Sequence, residues 1–278
     1  MGSEGTRFVG AVVAMAFVFA AAGVLAFTTR HSGGDATTTS VSPEFVVECT
    51  WSHRAADDPI VHPGHPGAAH MHDFFGSTST DATTTAADLL GSQTSCQTLA
   101  DTAAYWAPTL YLGSEAIDPS RLFAYYRRPP AIDRTSIQPY PLGLAVVADD
   151  VAWHCGASDD LASEPISCSR TAPLTLRVAF PACWNGRDLD STDHHSHVSY
   201  GTDAGCPSSH PVGLPELVLD ISYAFAGEPS GLRLSSGAVS TAHADFLNAW
   251  DPAQLADRVE SCLQQGARCG PPPLRAVD

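Results

Sequence analysis

The sequence predicts a mainly β protein: an antiparallel, β-sandwich-like single domain, disulfide-stabilised, with a short C-terminal helix. Three observations carry that expectation. Short β-branched and aromatic runs recur between clusters of Gly, Pro, Asp and Ser. Eight cysteines, all beyond residue 48, make an even set, which in an exported chain reads as four disulfides. Helical periodicity is confined to one stretch near the C-terminus.

Taken in order, the chain opens with Arg7 followed by "FVGAVVAMAFVFAAAGVLAF" (8–27), twenty residues without a charge. Residues 1–27 therefore read as a signal peptide, with "VLA" (24–26) offering small residues for cleavage, or as an uncleaved membrane anchor. Both readings place the remainder outside the cytoplasm, secreted or held on the outer face of the membrane. "TTRHSGGDATTTSVSPE" (28–44) is a flexible polar linker. Residues 45–273 form the globular domain, expected to be monomeric, and 274–278 a tail.

Within the domain, "FVVECTW" (45–51), "APTLYL" (107–112), "RLFAYYRR" (121–128), "LGLAVVA" (142–148), "LTLRVAF" (174–180) and "LVLDISYAF" (217–225) are expected strands. "HADFLNAW" (243–250) is read as a short helical turn. "DPAQLADRVESCLQQG" has Asp251 as N-cap, Pro252 at the first helical position and an apolar side of Leu255, Val259, Cys262 and Leu263, with Gly266 as its stop. Short loops favour the pairs Cys155–Cys168, Cys183–Cys206 and Cys262–Cys269. No CxxC pair occurs, which disfavours a zinc–cysteine site.

Charge narrows the partners. Lysine is absent and the net charge is −16, so there is no basic stripe to displace the counterions of nucleic acid. GxSxG, P-loop and GxGxxG fingerprints are also missing, which disfavours serine-hydrolase and nucleotide chemistry.

Two histidine-rich segments stand out. "DPIVHPGHPGAAHMHDFFG" (58–76) carries His70 and His72, which share a face if the segment is extended. "STDHHSHVSY" (191–200), with Asp190 before it, carries Asp193, His194 and His197. His243 and Asp245 form a third, smaller group, and His210 lies in "CPSSHPVGLP". Imidazole suits zinc or copper, so His70, His72, His194 and His197 are the candidate ligands of a divalent metal. His70, His72, Asp190, Asp193, His194, His197, His243 and Asp245 are the candidate catalytic residues, since imidazole and carboxylate can share acid–base work. Asp58 is read either as a further carboxylate or as a turn residue bonding the backbone. His65 and His195 are read as bystanders. Tyr105, Trp106, Tyr111, Tyr125 and Trp184 offer flat faces for a saccharide, with His210 beside them; core packing is the competing reading.

These motifs, with "YWAPTLY", "FPACWNGRDLDSTDHHSHVSY" and "LSSGAVSTAHADFLNAW", occur in an order that resembles the secreted domain-of-unknown-function family nineteen-ninety-six of fungi and actinobacteria, over roughly residues 46–263. The resemblance picks out His70, His72, Asp190, Ser191, Asp193, His194, His197, His210, His243 and Asp245. It implies positions and brings no reaction. The residues themselves lead to the expectation of an exported hydrolase or lyase acting on a cell-wall or environmental polysaccharide. The alternatives are a non-catalytic surface module binding glycan or metal, and a copper- or zinc-dependent enzyme.

Overall fold

The structure, a computed structural model, describes residues 1–2 and 42–270. The apolar run at 8–27, most of the linker and the C-terminal tail lie outside the described residues. Among the described residues no helix is long and apolar enough to cross a membrane.

Two sheets face one another. The larger runs in the order Arg268–Cys269, Glu44–Cys49, Pro119–Arg127, Glu216–Tyr223, Leu174–Ala179, Asp150–Cys155, antiparallel except for its two-residue edge pair. The smaller runs Trp51–Ala55, His72–Gly76, Ala104–Pro108, Ala244–Leu247, Ala145–Ala148, antiparallel throughout. Period-2 alternation decides what each strand buries. Phe45, Val47 and Cys49 point inward from one strand, and Leu122, Ala124 and Tyr126 from its neighbour. They meet Phe75, Tyr105, Val146 and Phe246 of the smaller sheet in one continuous core.

The opposite face of the smaller sheet is also covered. Ile60 and Leu89, from the segments flanking the strand His72–Gly76, pack on Phe74, Ala104, Trp106, Ala145 and Leu247. That second apolar layer frames the site described below.

Departures from the expected elements have physical reasons. "HADF" is extended, because Ala244–Leu247 is a central strand paired on both sides, and ladder pairing overrides a weak local helical preference. "LGLAVVA" contributes a strand only from Ala145, since Gly143 takes a left-handed turn conformation (φ 84°). The C-terminal helix Pro252–Arg258 is capped by Asp251, whose carboxylate accepts from the Gln254 N–H, and continues as a wider π-type turn over Val259–Gln264. Leu255, Val259, Cys262 and Leu263 are all buried, as the periodicity predicts. The three short-loop disulfides form, and Cys49–Cys96 completes the set.

Between the sheets runs a chain of polar groups with no solvent access. Trp250 Nε1–H donates to the Tyr126 hydroxyl, Tyr126 to Tyr105, and Tyr105 to Asp101 Oδ2. Burial pushes the Asp101 carboxyl up to about 8, against the two hydrogen bonds that favour its charge. A carboxyl raised in the folded state stabilises fully below its unfolded value and loses that contribution as pH climbs through the folded one. Stability is therefore expected to fall between about pH 4 and pH 8, and Asp101→Asn to flatten part of that slope. Thermal melts of both proteins across this window check it; equal slopes would contradict it.

Candidate functional site

The site forms at the end of the smaller sheet where His72 begins its strand. His72 lies opposite Pro108, and Phe74 opposite Trp106, which lies opposite Asp245. Directly paired residues share a face, so His72 and Asp245 project from the outer face, and His243, two residues before Asp245, joins them. Asp73, between His72 and Phe74, points the other way and is held by Arg54 at 2.8 Å.

The preceding loop closes over this corner. Gly64 and Gly67 (φ 76° and 75°) adopt left-handed conformations that turn the "HPGHPG" run back on itself. Asp58 Oδ1 accepts the Ile60 and Val61 N–H groups, which pins the loop. The turn reading of Asp58 therefore holds, and its carboxyl also lies in a close group with His72 and Asp245.

His70, His72 and His243 each offer a ring nitrogen within 4.8 Å of the others, and Asp58, His72 and Asp245 make a second such group. The rings of His70 and His72 are centred 4.2 Å apart, and those of His70 and His243 5.2 Å apart. His243 Nε2 stands 3.9 Å from Asp245 Oδ2. The orientation of two rings is set from behind. His72 Nδ1 lies 2.9 Å from the Asp57 carbonyl and His243 Nδ1 2.9 Å from the Thr241 carbonyl. A carbonyl only accepts, so Nδ1 carries the hydrogen and Nε2 presents its lone pair.

The free ends have nothing to bond. His70 Nε2, His72 Nε2 and both Asp245 oxygens are buried without a hydrogen-bond partner. Burial lowers His70 to about 4, helped by its neighbours His243 and His62, and holds His72 well below the ordinary histidine value. Burial also lowers His243 and raises Asp245 well above the usual carboxylate range, with Asp58 adding to the latter. The cluster thus combines neutral imidazoles with carboxyls that have given up solvation. His72 and Asp245 are wholly enclosed, whereas His70 and His243 reach solvent.

The segment 190–197 lies elsewhere and is wired to itself. Asp193 accepts from the Ser191 hydroxyl and from the His195 and Ser196 N–H groups, which hold its carboxylate well below the usual range. His194, in a left-handed conformation, sits 3.0 Å from Asp190. His197 is enclosed, with Nε2–H donating to the Ala145 carbonyl and Nδ1 2.9 Å from the Ser191 hydroxyl. The expected four-histidine set therefore needs correction: the group that closes draws its third histidine from His243, and neither His194 nor His197 belongs to it. His197 is occupied by a carbonyl of the edge strand, opposite Leu247 rather than beside Asp245.

This division has a stability consequence. His197→Ala leaves the Ala145 carbonyl without its donor and empties a buried space, an expected loss of about 2 kcal/mol. His195→Ala, at an exposed position, should stay within about 0.5 kcal/mol of the parent. Urea midpoints distinguish the two; equal losses would overturn the structural role of His197.

Two of the aromatic residues need correction. Tyr105 and Trp106 are fully buried between strands and offer no face to a sugar. Tyr125 packs on the outer side of the larger sheet with Arg127 over its ring. Trp184 donates to the Asp188 carbonyl, and His210 Nε2 lies 3.1 Å from the Ser196 carbonyl. Tyr111 is half-buried beneath the Arg233 guanidinium.

The residue that sequence reasoning left open at this site is Asp58, and His62 stands close enough to bear on its charge and that of His70. The usable signal was the repeated His-x-His and His-x-Asp spacing, which places both side chains of each pair on one strand face.

A third close group, Cys49, Cys96 and Asp101, is closed to metal because its sulfurs form a disulfide.

Comparison with known proteins adds one positive finding. The model of the family described as Domain of unknown function (DUF1996) matches residues 58–250, a span that runs from Asp58 through Asp245 and takes in every member of the cluster. No curated protein and no solved structure matches the chain. The match covers well over half of the sequence, and the chain belongs to the DUF1996 family.

Proposed function

We propose that this protein is an extracellular enzyme that cleaves a cell-wall or environmental polysaccharide, with His70, His72, His243 and Asp245 at the reacting centre. One observation carries the reading: buried ring nitrogens and carboxylate oxygens that face each other with no partner in the fold. Each orphaned polar group costs about 1–3 kcal/mol, and several of them converging on one partly open corner are what a bound ligand, ion or water would satisfy. The export-type N-terminus and four disulfides support the extracellular placement.

The arrangement supplies what glycosidic cleavage needs. An imidazole Nε2 that already presents its lone pair can take a proton from water or from a sugar ring carbon. A carboxyl within reach can protonate the departing oxygen. His243, open to solvent and 3.9 Å from Asp245, links the two. The full-length protein, incubated with a panel of neutral and uronic polysaccharides, should release reducing ends, with ultraviolet absorbance of unsaturated products marking a lyase. Tight glycan binding without turnover on any member would replace this reading with that of a binding module.

A further inference from the structure

We propose that His70, His72 and His243 form a binding site for one divalent transition-metal ion of the zinc or copper class, with Asp245 as the adjoining carboxylate. This goes beyond the glycan reading and changes one part of it: with an ion bound, the Nε2 lone pairs would be committed to it, and an ion-bound water rather than an imidazole would serve as the base.

The donor set fits in kind. Three imidazoles with no cysteine and a nearby carboxylate suit borderline ions that prefer nitrogen, and do not suit calcium or magnesium, which take oxygen ligands. It fits in orientation as well. Histidine ligands typically donate their second ring N–H to a carbonyl or carboxylate, which fixes the ring and aims the lone pair. His72 and His243 do so to the Asp57 and Thr241 carbonyls.

Separation decides whether the set can close. A tetrahedral zinc ion with Zn–N of about 2.0–2.1 Å needs ligand nitrogens about 3.4 Å apart. The three nitrogens already lie within 4.8 Å of one another. His72 is enclosed, whereas His70 and His243 are partly exposed. Closing the remaining gap needs small shifts of these partly exposed rings, with the Thr241 carbonyl bond of His243 kept.

A packed, inert histidine cluster is the competing account. It leaves His72 Nε2, in a side chain with no exposure, and both oxygens of Asp245, 1% exposed, aimed at the same space with nothing to bond. A cation satisfies all of them at once. Asp245 then either ligates or accepts from an ion-bound water, and the open side toward solvent leaves a position for an exogenous ligand.

Calorimetric titration of the chelator-stripped full-length protein with zinc and, separately, with copper(II) tests the site. One ion per chain is expected. Affinity should drop at least about a hundredfold in His243→Gln and stay unchanged in His195→Ala. His243 reaches solvent, so its substitution spares the core; His72→Ala serves as the second variant, its fold checked by circular dichroism. Tight binding of only one ion names the metal. Binding of neither metal, or binding indifferent to both variants, overturns the proposal. Metal binding with no turnover on any glycan leaves the site standing and removes the enzymatic reading. Turnover by metal-free protein that takes up neither ion does the reverse.

Discussion

If the proposed enzymatic reading holds, His72→Ala is expected to lower kcat/KM on any polysaccharide the protein turns over by at least about a hundredfold while the protein stays folded, the range for losing a positioned acid–base group. The magnitude follows from the ring's surroundings. Its Nδ1 is committed to the Asp57 carbonyl and its Nε2 is committed to nothing in the chain. Losing the ring leaves the Asp57 carbonyl without its donor and empties a buried space, together about 2 kcal/mol to the fold. It also removes the member common to both close groups of the cluster. Kinetics beside a urea melt separate the two effects. A large fall in stability with undiminished turnover would make His72 a packing residue.

Trp250→Ala is the most damaging single change expected for the fold, at about 4 kcal/mol. The indole is fully enclosed, meets Phe45 and Tyr126 edge-on at 6.1 and 5.9 Å, and donates to the Tyr126 hydroxyl. Its removal opens a large cavity and starves the first link of the chain that ends at Asp101. Trp250→Phe restores most of the packing without the donor, so its loss should fall to about 1–2 kcal/mol. Urea midpoints at constant m check both values. Equal losses would mean that the hydrogen bond, rather than the volume, dominates.

Much of the fold is legible in local sequence because alternation and capping are local effects. Phe45, Val47 and Cys49 announce their inward face. Asp251 and Pro252 announce the helix that follows them. "HADFLNAW" is the instructive departure. Its extended form depends on pairing with Ala104–Pro108 and Ala145–Ala148, partners about a hundred or more residues away, which no window contains.

The site divides in the same way. That His70 and His72 act together follows from their two-residue spacing. Which distant group completes them does not, because strand order decides it. Ala244–Leu247 sits next to Ala104–Pro108, which brings His243 and Asp245 to His72, while the segment of His197 binds the edge strand at Ala145. Histidine density alone pointed to the wrong partner. Likewise Tyr105 and Trp106 carry the composition of a sugar-binding face but lie on the central strand of the smaller sheet, where both faces are covered.

The most direct measurement compares His243→Ala with His194→Asn for reducing-end release on one substrate. Asparagine is the suitable replacement at 194 because it tolerates the left-handed backbone there (φ 58°). With His243 as a member of the working centre and His194 in a self-bonded loop, the first variant loses at least about a hundredfold in rate and the second stays within about twofold. The opposite ranking would place the reacting centre in the segment 190–197 and contradict the assignment made here.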